Sequence, residues 1–89
     1  MQFESNTVEE SIRRLKRIEG QIGGVIRMME DNRECSEVFQ QVAAATKALE
    51  RVGFKLLASQ LRECVVDEES AAKEGYTPQE LERLFMSLS

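Results

Sequence analysis

Histidine is missing from this chain altogether, and so is tryptophan. Without histidine there is no general base of the kind a cysteine hydrolase uses and no imidazole to complete a zinc site. Neither class is expected, and the chain is not read as an enzyme. Aromatic residues make up only 6%, so the core must be aliphatic. One proline and five glycines leave long segments free to be helical. No stretch approaches the roughly 18 apolar residues of a membrane span, so no membrane contact is expected. Positions 1–10 carry neither a positive charge nor an apolar run. No signal peptide is read there, and the expected compartment is the reducing cytoplasm, with free thiols.

What is present favours packed helices. Charged residues make up 31%, and Ala, Glu, Leu, Arg and Val dominate. Eighty-nine residues form one small domain over positions 1–89, near the size at which a lone core is marginal. Acids outnumber bases 16 to 12, and the net charge of −4 weighs against a generic nucleic-acid binder.

Thr7-Val8-Glu9-Glu10 has the spacing of a capping box. Leu15, Ile18, Ile22, Val25 and Met29 then repeat in steps of 3, 4, 3 and 4, a helical seam. Asn32, which tolerates a left-handed backbone, is expected to end that helix, and the short gap folds the next one back antiparallel. Ser36 is the expected N-cap of a long second helix reaching Val65. Its seam runs Val38, Val42, Ala45, Leu49, Val52, Leu56 and Ser59, widened by Ala43, Ala44 and Ala48. Phe39, Phe54 and Leu57 lie off that seam, so the helix should pack on more than one side and make oligomer contacts. Acidic residues between Val65 and Gly75 mark a break. Thr77-Pro78-Gln79-Glu80 then starts a third helix carrying Leu81, Leu84, Phe85 and Leu88. The expected fold is all-α, with three helices per protomer.

Two cysteines, Cys35 and Cys64, bracket the second helix. They are 29 positions apart, which at the helical rise is about 40 Å, whereas a disulfide needs Cα atoms within about 7 Å. Within one protomer they cannot meet. An antiparallel partner can bring its Cys64 beside Cys35. The thiols can be read as buried small hydrophobes, as a soft-metal site for Cu(I), or as a redox-sensing couple. At the start of a helix Cys35 is placed as the attacking thiol, and Cys64 near the other end as the resolving one.

Basic residues gather on two faces. Arg13, Arg14, Lys16 and Arg17 cluster on the first helix, and Lys47, Arg51 and Lys55 recur every four residues on the second, opposite its apolar seam. Such faces are either merely solvated or make phosphate contacts repeated by an oligomer.

The run from Arg14 to Val25, with Met28-Met29-Glu30, Cys35, Gln40-Gln41-Val42-Ala43-Ala44 and Arg62-Glu63-Cys64-Val65, resembles the CsoR/RcnR/FrmR family of bacterial transcriptional repressors. The similarity covers roughly residues 8 to 86 and adds weight to the phosphate reading. It implies an antiparallel four-helix-bundle homodimer pairing into a homotetramer that binds operator DNA. It also implies DNA contacts from Arg14, Lys16, Arg17, Lys47 and Arg51, and sensing by Cys35 of one protomer with Cys64 of another. Family sensors of copper, nickel or cobalt, and formaldehyde carry His at the position of Gln60, and the copper sensors commonly have Tyr at that of Glu34. An acidic residue beside the family's copper site corresponds to Glu80. Two cysteines without the His resemble the CstR-like persulfide-sensing branch. The expectation is a repressor without a cofactor, induced by reactive sulfur species at Cys35 and Cys64. The alternative is a repressor induced by Cu(I) on the same two thiolates. A helical interaction module with inert thiols is a third reading.

Overall fold

The computed structural model describes residues 2–66, Glu69 and residues 77–88. Three helices make up the fold: α1 (Ser5–Glu30), α2 (Cys35–Val66) and α3 (Pro78–Leu88). No strand occurs among the described residues, as the periodicity leads one to expect. The acidic segment from Asp67 to Gly75, apart from Glu69, lies outside them.

Two of the expected helix starts are displaced. α1 begins ahead of Thr7, because the extended residue that precedes its first turn is Glu4 (φ −63°, ψ 152°). The Glu4 carbonyl accepts the Val8 N–H at 3.0 Å, and no side chain caps this end. Val8 and Ile12 continue the Leu15 seam backwards in helical steps, which carries the helix through the Thr7 position. Likewise α2 starts at Cys35 rather than behind a Ser36 cap. The Glu34 carbonyl accepts the N–H groups of Glu37 and Val38 at 3.0 and 3.2 Å.

The other two signals hold. Asn32 is left-handed, at φ 54°. Around it the Arg33 N–H donates to the Met28 carbonyl at 3.0 Å and the Asn32 N–H to the Met29 carbonyl at 3.2 Å, the paired bonds of a Schellman ending. Thr77 caps α3, its Oγ1 accepting the Glu80 N–H at 3.2 Å.

The turn at residues 31–34 folds α2 back along α1. Gln41 donates to the Gln21 carbonyl near the turn, and Lys55 reaches Glu10 far from it, an antiparallel register. Gly24 permits close approach, since a β-carbon there would sit 3.3 Å from Gln41 Nε2. α3 packs on the far part of α2, where Phe54 and Phe85 have ring centroids 5.3 Å apart. Phe54 and Leu57 therefore serve a second face of α2, as their off-seam positions imply, while Phe39 stays exposed.

The apolar core of the described residues is thin: Ile18, Val52 and Leu81 are buried. The Cα atoms of the chain span 54 × 25 × 14 Å, an elongated shape for so few residues. Much of the expected seam faces outward. Ile22, Val42 and Leu49 are 49%, 42% and 51% exposed and line an apolar groove of 280 Å³ with Ile18 and Val25. Among the described residues no helix is long and apolar enough to cross a membrane.

Candidate functional site

Cys35, the first residue of α2, carries an exposed free thiol. Arg33 and Glu37 straddle it, with Arg33 Nε donating to Glu37 Oε2 at 2.9 Å. This hydrogen bond and the paired charges raise the Arg33 pKa and lower that of Glu37 from the ordinary value. The two side chains largely cancel each other beside the thiol.

Cys64 lies in the last turn of α2, and the helix is unbroken between the two cysteines. They therefore occupy opposite ends of one rod about 40 Å apart, and no single protomer brings them together. Among the described residues no cluster of three or more His, Cys, Asp or Glu side chains that could hold a metal occurs. One turn before Cys64 stands Gln60, on the same face of the helix by its four-residue spacing. Its side chain is buried, and its Oε1 finds no hydrogen-bond donor among the described residues. It borders a small polar recess with Glu4, Ser59, Arg62 and Glu63. Glu80, at the start of α3, is ion-paired with Arg83.

The basic residues separate into two groups. Arg14 and Arg17 line one groove on α1 with Arg13, Asn6, Glu9 and Glu10. Lys16 is exposed and outside that groove; two residues on from Arg14, it points to another side of the helix. Lys47 and Arg51 are exposed on one row of α2, continued by Lys55. Lys55 brings this row to α1. Its Nζ lies 3.5 Å from Glu10 Oε1, the atom that also accepts Arg14 Nη2 at 3.0 Å and Arg14 Nε at 3.2 Å. The Arg14 hydrogen bond and the nearby Lys55 charge hold the Glu10 carboxyl below the ordinary value of 4.5.

Sequence reasoning placed Lys55 in the basic row but not in the site, and it missed Glu10. The four-residue spacing carries the signal for Lys55. Nothing local carries the signal for Glu10, which meets Lys55 across 45 positions. The burial of Gln60 was missed as well, since glutamine is mostly a surface residue.

A profile of the family described as metal-sensitive transcriptional repressor matches residues 7–87. The copper-sensing transcriptional repressor RicR of Mycobacterium tuberculosis is 43% identical over 53 residues, which are 60% of this chain and 55% of the length of RicR. Among solved structures, the copper-sensing repressor CsoR with Cu(I) from Geobacillus thermodenitrificans superposes with a TM-score of 0.75 at 38% identity, covering 99% of this chain and 88% of that one. The nickel-responsive transcriptional regulator InrS gives a TM-score of 0.76 at 38% identity, over 100% and 98%.

Proposed function

The chain belongs to the family of metal-sensitive transcriptional repressors, and from that membership we propose that it is a cytoplasmic single-domain repressor that binds operator DNA as a homotetramer and is induced by Cu(I) at an inter-subunit pair of Cys35 and Cys64. The observation that carries the site is the unbroken α2, which keeps the two thiols at opposite ends of one protomer. A functional pair must then draw Cys35 from one subunit and Cys64 from another. Two soft thiolates suit Cu(I), and both RicR and the CsoR crystallised with Cu(I) are copper sensors.

Self-association has its own support. Three buried apolar residues among those described are a small core for three helices, and an amphipathic helix must bury its apolar stripe against another element. The half-exposed seam of Ile22, Val42 and Leu49 is the face a second copy would cover. Arg14, Arg17 and Arg51 are the expected phosphate contacts, with Lys16 and Lys47 as outer ones.

A second reading has one specific observation in its favour. Gln60 stands where the sensors of metals and formaldehyde resembled by the sequence carry His, and an amide oxygen is a poor partner for a soft ion. This favours reactive sulfur species and the CstR-like branch. There the Cys35 thiolate attacks a sulfane sulfur, releasing the shortened polysulfide anion and leaving a persulfide. Cys64 of a partner subunit then attacks the Cys35 sulfur, expels hydrosulfide and closes a disulfide. The two thiols lose two electrons, and the sulfane sulfur is reduced to sulfide.

Fluorescence anisotropy on an operator duplex separates the readings. Under the Cu(I) proposal, one Cu(I) per cysteine pair releases DNA, and Cys35→Ser or Cys64→Ser abolishes the release. Release by polysulfide with a covalent dimer on non-reducing gels, and none by Cu(I), establishes the second reading instead. Release unaffected by either cysteine variant would remove the thiol pair from both.

A further inference from the structure

Glu10 stands on the ridge between two cation-lined grooves. One is the α1 groove with Arg13, Arg14 and Arg17. The other, of 350 Å³, runs between α1 and α2 and is lined by Arg14, Lys55 and Arg62 together with Ser11 and Ser59. Glu10 and Arg14 border both. A single oxygen, Glu10 Oε1, accepts Arg14 through Nε and Nη2 and also faces Lys55 Nζ. One carboxylate therefore holds two cations drawn from two helices, at the point where the basic row of α2 reaches the basic groove of α1.

We propose that Glu10 is an internal stand-in for a DNA phosphate, holding Arg14 and Lys55 until the nucleic acid takes its place, and that the phosphate-binding track therefore extends onto Lys55. This rests on the DNA-binding reading above. Guanidinium groups recognise carboxylate and phosphate oxygens through the same fork of donors, so the exchange needs no rebuilding of Arg14. All three side chains are substantially exposed, and ion pairs at such positions are weak. Exchange is therefore cheap, yet each incoming phosphate must first displace a carboxylate and then tolerate it nearby. In the free protein Glu10 keeps the two cations ordered and partly neutralised. Phosphate contacts carry no sequence information, so this restraint falls on any duplex and spares the contribution of base contacts.

The test is DNA affinity as a function of salt, measured by anisotropy on an operator and on a random duplex, for wild type, Glu10→Gln and Glu10→Ala. Glu19→Gln is the control, because it changes the net charge equally from an exposed position of α1 outside both grooves. The Glu10 variants should bind about 3- to 10-fold tighter, with a salt slope steeper by about 0.9 for each further phosphate neutralised. The increase in affinity should be at least as large on random DNA, and adding Lys55→Gln should remove much of it. Equal increases from Glu19→Gln and Glu10→Gln would reduce the effect to net charge and overturn the proposal. So would an unchanged salt slope in variants whose helical circular dichroism matches wild type. Failure of the folded wild type to bind any duplex would instead strike the repressor reading itself.

Discussion

Gln60 concentrates the chemistry of the Cys64 end of α2 in one side chain. Leaving a buried amide oxygen without a donor costs on the order of 1–3 kcal/mol, so the residue is a liability to the isolated protomer. A histidine there would add an imidazole to two thiolates. Gln60→His is therefore expected to raise Cu(I) affinity tenfold or more, measured by competition with a chromophoric Cu(I) chelator. An unchanged affinity would place copper binding away from the Cys64 end of α2. The thiols at this scale were legible in the sequence, because cysteine chemistry and helical rise suffice to separate them. The environment of Gln60 was not, since burial is decided by what packs over a residue and its own type argues for the surface. Glu10 escaped notice for the same reason: its partner Lys55 becomes a neighbour only after α2 folds back.

The ends of the helices divide into those written locally and those decided by context. Thr77, followed by proline and then by glutamate at the third position, carries its own cap, and Asn32 carries its own left-handed turn. Both could be read before any fold was known. Thr7 and Ser36 have equally suitable side chains but sit within the first turn, because the backbones of Glu4 and Glu34 take the flanking positions. A capping side chain acts only from the residue where the chain enters the helix, and an apolar seam can carry the helix past it. Thr77→Ala should cost about 1 kcal/mol through the loss of its hydrogen bond to Glu80. Asn32→Val should cost about 1–2 kcal/mol because a β-branched residue resists positive φ, whereas Asn32→Gly should be tolerated. Urea titration of the three variants by circular dichroism checks both, and equal stability of the Val and Gly variants would contradict the helix-ending role of Asn32.

At the scale of the molecule, the dominant fact among the described residues is a deficit of interior. Ile18, Val52 and Leu81 are a small apolar core for such long helices, while Leu49 and Met29 are 51% and 65% exposed. The heptad-like steps of the sequence announced this seam, and the off-seam Phe54 and Leu57, though not Phe39, announced a second packed face. What they could not announce was how little of the seam α1 and α2 bury against each other. Sedimentation equilibrium should find no stable monomer at micromolar concentration. Leu49→Glu, which places a charge in the outward groove, should yield monomers of much reduced helicity, and a folded monomer of either protein would contradict the need for a partner subunit. A protomer with so small a core of its own has a further consequence, for inheritance of subunits. If each copy is stable only against another, a subunit cannot leave its assembly without losing its own fold, so exchange between assemblies should be as slow as unfolding. The composition of each assembly would then be set when its chains are made. A cell holding two repressors of this kind would keep their populations as they first paired, even while inducers and DNA come and go.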